Sequence, residues 1–70
     1  MKHVAWDYEL PGYYHVYTVS DAADEIFEEP ALMIMLVPQS TEADEIVDHF
    51  VKSLDDFIDR RLAQRSQEQG

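Results

Sequence analysis

The most constraining feature of this sequence is that its 70 residues include no cysteine. A chain of this length buries only about 60% of the surface that its unfolded form exposes, and its core rarely contributes more than ~3–5 kcal/mol of stability. Neither disulfide bonds nor a thiolate zinc site can reinforce that core when cysteine is absent. The sequence therefore predicts one small domain, assigned to residues 1–66 with a flexible tail at 67–70, and favours association with a partner.

Acidic residues outnumber basic ones by fifteen to five, which gives a formal net charge of −10 at pH 7. The basic residues Arg60, Arg61 and Arg65 are concentrated near the C-terminal end. Such a field repels nucleic acids and anionic membranes and attracts basic proteins. Direct binding of DNA or RNA is not expected, because the sequence has no basic stripe interleaved with aromatic residues. Two simpler explanations stay open, since the same charge also serves solubility or reflects a salt-adapted composition.

A Pro-Gly pair at residues 11 and 12 separates two segments rich in aromatic and β-branched residues, which predicts a β-hairpin. With Pro11 and Gly12 as the central turn residues, the side chains alternate between two faces of the sheet. One face then carries the cross-strand pairs Val4 with Val19, Trp6 with Tyr17, Tyr8 with His15, and Leu10 with Tyr13. The other face carries Ala5, Asp7, Glu9, Tyr14, Val16 and Thr18.

The apolar segment ALMIMLV, residues 31–37, ends at Pro38 and predicts a third strand that is covered on both faces. One face of this strand is expected to turn towards a long helix and to present Leu32, Ile34 and Leu36. The other face then presents Met33, Met35 and Val37, beside Val16, Tyr14 and Ala5. Met33 and Met35 are candidates for an exposed apolar patch, because methionine adapts to many recognition surfaces. The alternative is that Ile26 and Phe27 of a preceding short helix cover them.

After residue 40 the apolar residues recur at spacings of three and four, which predicts a long amphipathic helix over about 41–64. These residues are Ala43, Ile46, Val47, Phe50, Leu54, Phe57, Ile58 and Leu62. Such a helix is ~36 Å long, so its last turns overhang a strand of ~23 Å. The predicted fold class is α+β. A three-stranded antiparallel or mixed sheet, formed by the hairpin and by a third strand that follows a short helix, packs on one long C-terminal amphipathic helix.

The pattern S-x-x-A-D-E-I occurs twice, at residues 20–26 and 40–46. Ser20 stands where a helix N-cap is expected, as Ser40 or Thr41 does in the second copy, and acids follow in the first turn. We interpret the two copies as two helix starts that obey the same capping rule, with a repeated recognition motif as the alternative. The first helix is predicted over 21–28, because Pro30 prevents its continuation.

Glu28 and Glu29 do not follow that rule, because acids at the C-terminal end of a helix oppose its dipole by ~0.3–1 kcal/mol each. A local rule that is broken without visible gain indicates a position to examine for function.

The sequence offers little chemistry. Its two glycines cannot build a phosphate-binding loop, and it has no thiolate nucleophile. Ser20 and Ser40 are expected to serve as caps, and His3, His15 and His49 lack the spacing of metal ligands. We therefore expect a protein that is not an enzyme and needs no cofactor or metal. The longest apolar run is too short to span a bilayer and no signal peptide is evident, so a soluble, cytoplasmic protein is expected.

Two classes of function remain. The first is an inhibitor whose carboxylate-rich surface occupies a basic, nucleic-acid-binding site on another protein. Its general profile is similar to that of phage-encoded anti-CRISPR and DNA-mimic proteins, a similarity of composition that rests on no motif. The second is a homodimeric assembly adaptor that associates through an apolar sheet face, with Met33 and Met35 as the contact patch. The predicted acidic surface of the first class comprises Asp21, Asp24, Glu25, Glu28, Glu29, Asp44, Glu45, Asp48, Asp55 and Asp59.

Overall fold

The structure is a computed structural model, which describes residues 2–69 and the side chains of residues 2–67. It confirms the predicted fold class, with an antiparallel three-stranded sheet of order β1-β2-β3, a short helix and a long C-terminal helix. Along the chain the elements are β1 (Val4–Leu10), β2 (Tyr13–Thr18), α1 (Asp21–Phe27), β3 (Leu32–Leu36) and α2 (Ala43–Gln69). No helix in the described part is long and apolar enough to cross a membrane.

The hairpin forms as predicted, but its predicted register is wrong. Leu10 lies opposite Tyr13 as expected, whereas Tyr8 lies opposite Tyr14, so that Glu9 is an extra residue in a β-bulge. Beyond the bulge every predicted pair is shifted by one, and Val4 faces Thr18. A shift by one residue moves a strand's side chains to the opposite face.

Because of the bulge, Val4 and Trp6 of β1 share one face of the sheet with Tyr14 and Val16 of β2. Val4 is 0% exposed, Tyr14 1% and Val16 0%, and Trp6 packs against this cluster. The sequence-based register had placed Tyr14 and Val16 on the opposite face from Val4. With the bulge in place, these side chains share the face that packs into the core, where their burial stabilises the fold.

β3 pairs antiparallel to β2, with Met33 opposite Val16 and Met35 opposite Tyr14. Tyr14 and Val16 lie beside the two methionines as predicted, whereas Ala5 lies on the other face of the sheet. The methionine face turns towards α2, not away from it. Met33 and Met35 are half-buried against the core. The prediction that they form an exposed patch is wrong in its placement, because the bulge brings Tyr14 and Val16, with the methionines beside them, to the face that α2 covers.

The core lies between the sheet and α2. The helix buries residues at spacings of four and seven, namely Ala43, Val47, Val51 and Ile58, with Leu54 and Leu62 partly buried beside them. α1 adds Ala23, which is fully buried. α2 packs mainly against β1, and α1 packs against α2.

α2 continues to Gln69, beyond the predicted end near residue 64. The residues that follow Leu62 include no glycine or proline before position 70, so nothing in the local sequence stops the helix there. At 27 residues it is ~40 Å long, and the molecule is elongated, with extents of 46 × 20 × 14 Å. Residues 67–69 of the predicted tail lie in this helix, while Gly70 lies outside the described residues.

Candidate interaction surfaces

Four of the predicted partner-binding acids lie along one flank of α2, where they accept hydrogen bonds from the hairpin or from the residues just before it. We call them the aspartate row, which comprises Asp44, Asp48, Asp55 and Asp59. The Asp44 carboxylate accepts a hydrogen bond from the Tyr14 hydroxyl over 2.6 Å, and Asp48 accepts one from the Trp6 indole Nε1 over 3.5 Å. Asp48 also forms an ion pair with Lys52 over 2.7 Å. The Lys52 hydrogen bond lowers the pKa of Asp48 against the opposing effect of burial, and the Trp6 bond adds to the lowering.

Asp55 anchors the N-terminal end of β1. One of its carboxylate oxygens accepts the backbone N–H groups of Lys2, His3 and Val4 over 3.1, 2.5 and 3.1 Å. Burial raises the pKa of Asp55, but these three donors outweigh it and the net shift is downward. Asp59 receives Lys2 Nζ over 3.1 Å, which lowers its pKa, and His3 Nε2 lies 3.4 Å away.

Tyr14 lies at the centre of the core-facing side of the sheet. Its ring packs edge-on against Trp6, with centroids 5.5 Å apart, and against Tyr8 at 5.2 Å. The hydrogen bond to Asp44 is the largest cause that raises the pKa of Tyr14 to about 12, followed by burial and the negative charge of Asp44. This pair therefore joins the middle strand to the first turn of α2.

The repeated S-x-x-A-D-E-I segments are both helix starts, as predicted. Ser20 caps α1, since its hydroxyl accepts the N–H of Ala23 over 3.0 Å. In the second copy, Ser40 accepts the N–H of Glu42 over 3.2 Å, in the turn that precedes α2. The helix begins at Ala43 and not near residue 41, so the predicted direct cap by Ser40 or Thr41 is wrong. The repeat also contributes to tertiary packing. In each copy, the aspartate of its A-D-E-I part accepts a hydrogen bond from a hydroxyl group of β2. Asp24 binds Thr18 Oγ1 over 2.6 Å, as Asp44 binds Tyr14.

The remaining five acids of the predicted surface are differently placed. In the described part of the chain their side chains accept no hydrogen bond and form no ion pair. They are Asp21, Glu25, Glu28, Glu29 and Glu45. Glu28 ends α1 with φ 68°, in the left-handed region, and its N–H reaches the carbonyl of Glu25 over 3.3 Å. A residue with a Cβ is strained there by about 1 kcal/mol or more, in addition to its unfavourable charge at this helix end.

The side of the sheet opposite α2 is covered by no element of the described chain. We call it the open face. Its β3 row is apolar and well exposed, with Leu32 at 66%, Ile34 at 64% and Leu36 at 69%. Its β2 row carries Tyr13, His15 and Tyr17, and its β1 row carries Ala5 and Asp7. Glu9 reaches His15 over 3.1 Å, so the face changes from apolar at β3 to acidic at β1.

The sequence analysis predicts an exposed apolar sheet face but assigns Met33 and Met35 to it, because it places Leu32, Ile34 and Leu36 on the helix side. The segment is apolar at every position, and its own pattern cannot tell which side is buried. The bulge at Glu9 decides the matter, and a seven-residue strand without glycine gives little signal for a bulge.

Ser20, His3 and Asp59 form a hydrogen-bonded chain that sequence reasoning also missed. Ser20 Oγ lies 2.8 Å from His3 Nδ1, and His3 Nε2 lies 3.4 Å from Asp59. The residue types are those of a hydrolase triad, but Ser20 Oγ already accepts the Ala23 N–H and His3 is only 6% exposed. These hydrogen bonds therefore connect the start of β1 to both helices. None of the three residues lines a cleft described below.

Two open clefts lie in the described part of the molecule. One, of about 620 Å³, lies beside the hairpin turn between Tyr8, Gly12, Tyr14 and Asp44. Its Tyr14 and Asp44 already bind each other. The other, of about 310 Å³, lies between α1 and the end of α2 and includes Phe57 and Arg61, which stacks on that ring at 5.4 Å. Among the described residues no group of three or more histidines and acids is arranged to hold a metal.

Comparison with known proteins shows no matching family model, no similar curated protein and no similar solved structure.

Proposed function

We propose that this protein is a non-enzymatic binding module that docks another protein through the open face. The observation that carries the proposal is the row formed by Leu32, Ile34 and Leu36. These side chains stand at every second position of β3, and each is about two-thirds exposed. A contiguous apolar patch of this kind on a small soluble domain is typical of a protein-binding surface. Burial of such side chains at ~25 cal/mol per Å² supplies the main driving force for association.

The charge of the same face indicates the chemistry of the partner. Across one row of the register, Ile34 lies beside His15, which lies beside Asp7. The face therefore matches an apolar surface that is bordered by basic groups on one side. The net charge of −10 accelerates the encounter with such a partner and makes the association rate dependent on salt. We expect a cytoplasmic partner, since the chain lacks the disulfide bonds that stabilise small secreted domains.

The test compares two double variants of the full chain, immobilised and exposed to a lysate. Tyr13→Ser with Leu36→Ser alters neighbouring residues of the open face, and Ile46→Ser with Phe50→Ser removes comparably exposed apolar groups from α2. A protein captured by the wild type should bind the open-face variant about tenfold more weakly or worse, and the α2 variant within about twofold. Equal loss in both variants, or in neither, contradicts the proposal.

A second candidate function is an inhibitor that occupies the nucleic-acid-binding site of a basic protein. The favouring observation is Glu28, an exposed acid held in left-handed backbone geometry and followed by Glu29. The aspartate row adds carboxylates whose positions are held by hydrogen bonds over ~22 Å of helix. An array of ordered charges imitates a phosphate backbone better than a mobile one, because less conformational entropy is lost on binding.

This candidate is tested by competition with nucleic acid for a captured basic protein. Glu25→Gln with Glu28→Gln and Glu29→Gln should weaken displacement of the nucleic acid. The matched control is Glu42→Gln with Asp56→Asn and Glu68→Gln, which removes the same number of charges at other positions. Binding by a mimic falls steeply as salt rises, while apolar docking persists. If the two triple variants behave alike, net charge alone is responsible and the mimic is not supported.

A further inference from the structure

The two edges of the sheet are built differently. At the β1 edge, the Asp55 carboxylate accepts a hydrogen bond from the outward N–H of Val4 over 3.1 Å. The Asp7 carboxylate accepts one from the N–H of Tyr8 over 2.9 Å. The bulge at Glu9 and the charges of Asp7 and Glu9 further interrupt this edge. These are the devices by which proteins prevent a sheet edge from pairing with another chain.

The β3 edge carries none of these devices. Leu32–Leu36 has the sequence LMIML, with no charged residue, no proline and no bulge. The N–H of Thr18 donates to the carbonyl of Ala31 over 3.2 Å, and the N–H of Val37 to that of Gly12 over 3.1 Å. Since alternate residues of an antiparallel ladder point to opposite sides, Leu32, Ile34 and Leu36 turn their N–H and C=O groups to the outer edge.

The sequence around this edge is symmetric about Ile34. From Pro30 to Pro38 it reads PALMIMLVP, which is the same in both directions except for Ala31 and Val37. A two-fold dimer interface requires that if one residue contacts another, the second also contacts the first in the partner copy. A palindromic strand meets this requirement with like side chains, since Leu32 of one copy falls opposite Leu36 of the other.

We propose that two copies of this chain associate by antiparallel pairing of their β3 strands, with the two-fold axis at Ile34. The two sheets join into one of six strands, held by about six backbone hydrogen bonds from Leu32, Ile34 and Leu36. On the core side, Met33 of one copy falls opposite Met35 of the other. On the open face, the apolar row of one copy adjoins that of its partner.

The distribution of charge also favours a second copy. β3 carries no charge, and the acidic β1 strands lie at the far edges of the joined sheet, ~24 Å apart. That separation exceeds the screening length of ~8 Å at physiological salt, so repulsion between them is weak. α2 lies against β1 and leaves the β3 edge accessible.

This inference is independent of the proposed function, because the pairing uses backbone groups at an edge and partner docking uses side chains of the open face.

The measurement is the molar mass of the full chain by sedimentation equilibrium. Wild type should be a dimer. Ile34→Pro removes an outward N–H that the monomer does not use, so the fold should remain while the dimer dissociation constant rises tenfold or more, about the effect of losing two hydrogen bonds. Ile34→Thr keeps that N–H and should stay a dimer.

Single cysteines test the register, since the chain has none of its own. Ile34→Cys places two sulfur-bearing residues on the axis with Cα atoms ~5.5 Å apart, within the range of a disulfide. Leu36→Cys places them ~14 Å apart, which is outside it. Mild oxidation should therefore join the first variant and not the second. A wild-type monomer at all soluble concentrations, assembly beyond a dimer, or equal cross-linking of both variants overturns the inference.

Discussion

The hydroxyl of Tyr14 donates a 2.6 Å hydrogen bond to the carboxylate of Asp44, which joins the middle strand of the sheet to the first turn of α2. The same relation exists between Thr18 and Asp24 at the start of α1. Tyr14 and Thr18 lie four residues apart on the same face of β2, and the two acids occupy the same position in the repeated segment. Each copy of the repeat therefore begins a helix and attaches it to one strand.

The Tyr14–Asp44 pair predicts sensitivity to alkaline pH. The pKa of Tyr14 is raised from 10.0 to about 12, so the protonated phenol is favoured by folding. Its contribution to stability is complete below about pH 10 and is lost as the pH rises towards 12. Melting temperatures measured by circular dichroism should fall over this range more steeply for the wild type than for Tyr14→Phe. Parallel curves for the two proteins would show that the hydroxyl has no such role.

Asp55 predicts a complementary sensitivity to acid. The pKa of its carboxyl is lowered in the folded state, so its contribution is complete above the ordinary carboxyl pKa and is lost as the pH falls through the lowered value. Asp55→Asn should destabilise the protein at pH 7 and flatten its stability profile below about pH 4. Asp56→Asn is the control, because Asp56 is exposed and, among the described side chains, its carboxylate pairs with Arg60 alone. A control variant with the same profile would contradict this assignment.

Replacement of Glu28 should stabilise the fold. Glycine adopts φ 68° without strain and removes an acid from the C-terminal end of α1. We expect Glu28→Gly to raise the free energy of unfolding by about 1 kcal/mol in urea denaturation. Glu25→Gly, inside the same helix, should lower it by about 1 kcal/mol. If Glu28 also serves the inhibitor function, Glu28→Gly should compete less well with nucleic acid than the wild type does. Equal competition by the two proteins would exclude that role.

Neighbouring residues of α2 should differ sharply in their effect on stability. Ile58 is 0% exposed, whereas Phe57 is 48% exposed. Ile58→Ala should lower the free energy of unfolding by ~2–5 kcal/mol, which is comparable to the whole stability expected of so small a core. Ile58→Val, with a loss of ~0.5–1.5 kcal/mol, keeps the measurement within range. Phe57→Ala should have less effect than Ile58→Ala, and the reverse order would mean that α2 is rotated on the sheet.

Local signals were sufficient for the elements themselves. Pro11 and Gly12 identify the hairpin turn, Ser20 and Pro30 bound α1, and helical spacing identifies α2. These signals act within a few residues, so a single sequence contains them. The end of α2 was underestimated because apolar spacing stops at Leu62, while helix-forming polar residues continue to Gln69.

The surfaces were less predictable than the elements. Half of the ten acids assigned to a partner-binding surface accept hydrogen bonds from the hairpin or from the segment before it, as Asp44 and Asp55 illustrate. An acid on the polar flank of a helix looks the same in sequence whether its neighbour is water or a backbone N–H of a strand distant in the chain. Only the packing of β1 against α2 distinguishes these two cases.

By itself the sequence determined that this acidic chain adopts an α+β fold, because hydrophobic spacing, turn residues and helix caps act locally. The tertiary structure decided which face of β3 is buried and which is exposed. That outcome depends on one extra residue, Glu9, in β1. The bulge is stabilised by the joint burial of Val4, Tyr14 and Val16, side chains that meet only when the whole sheet packs on α2.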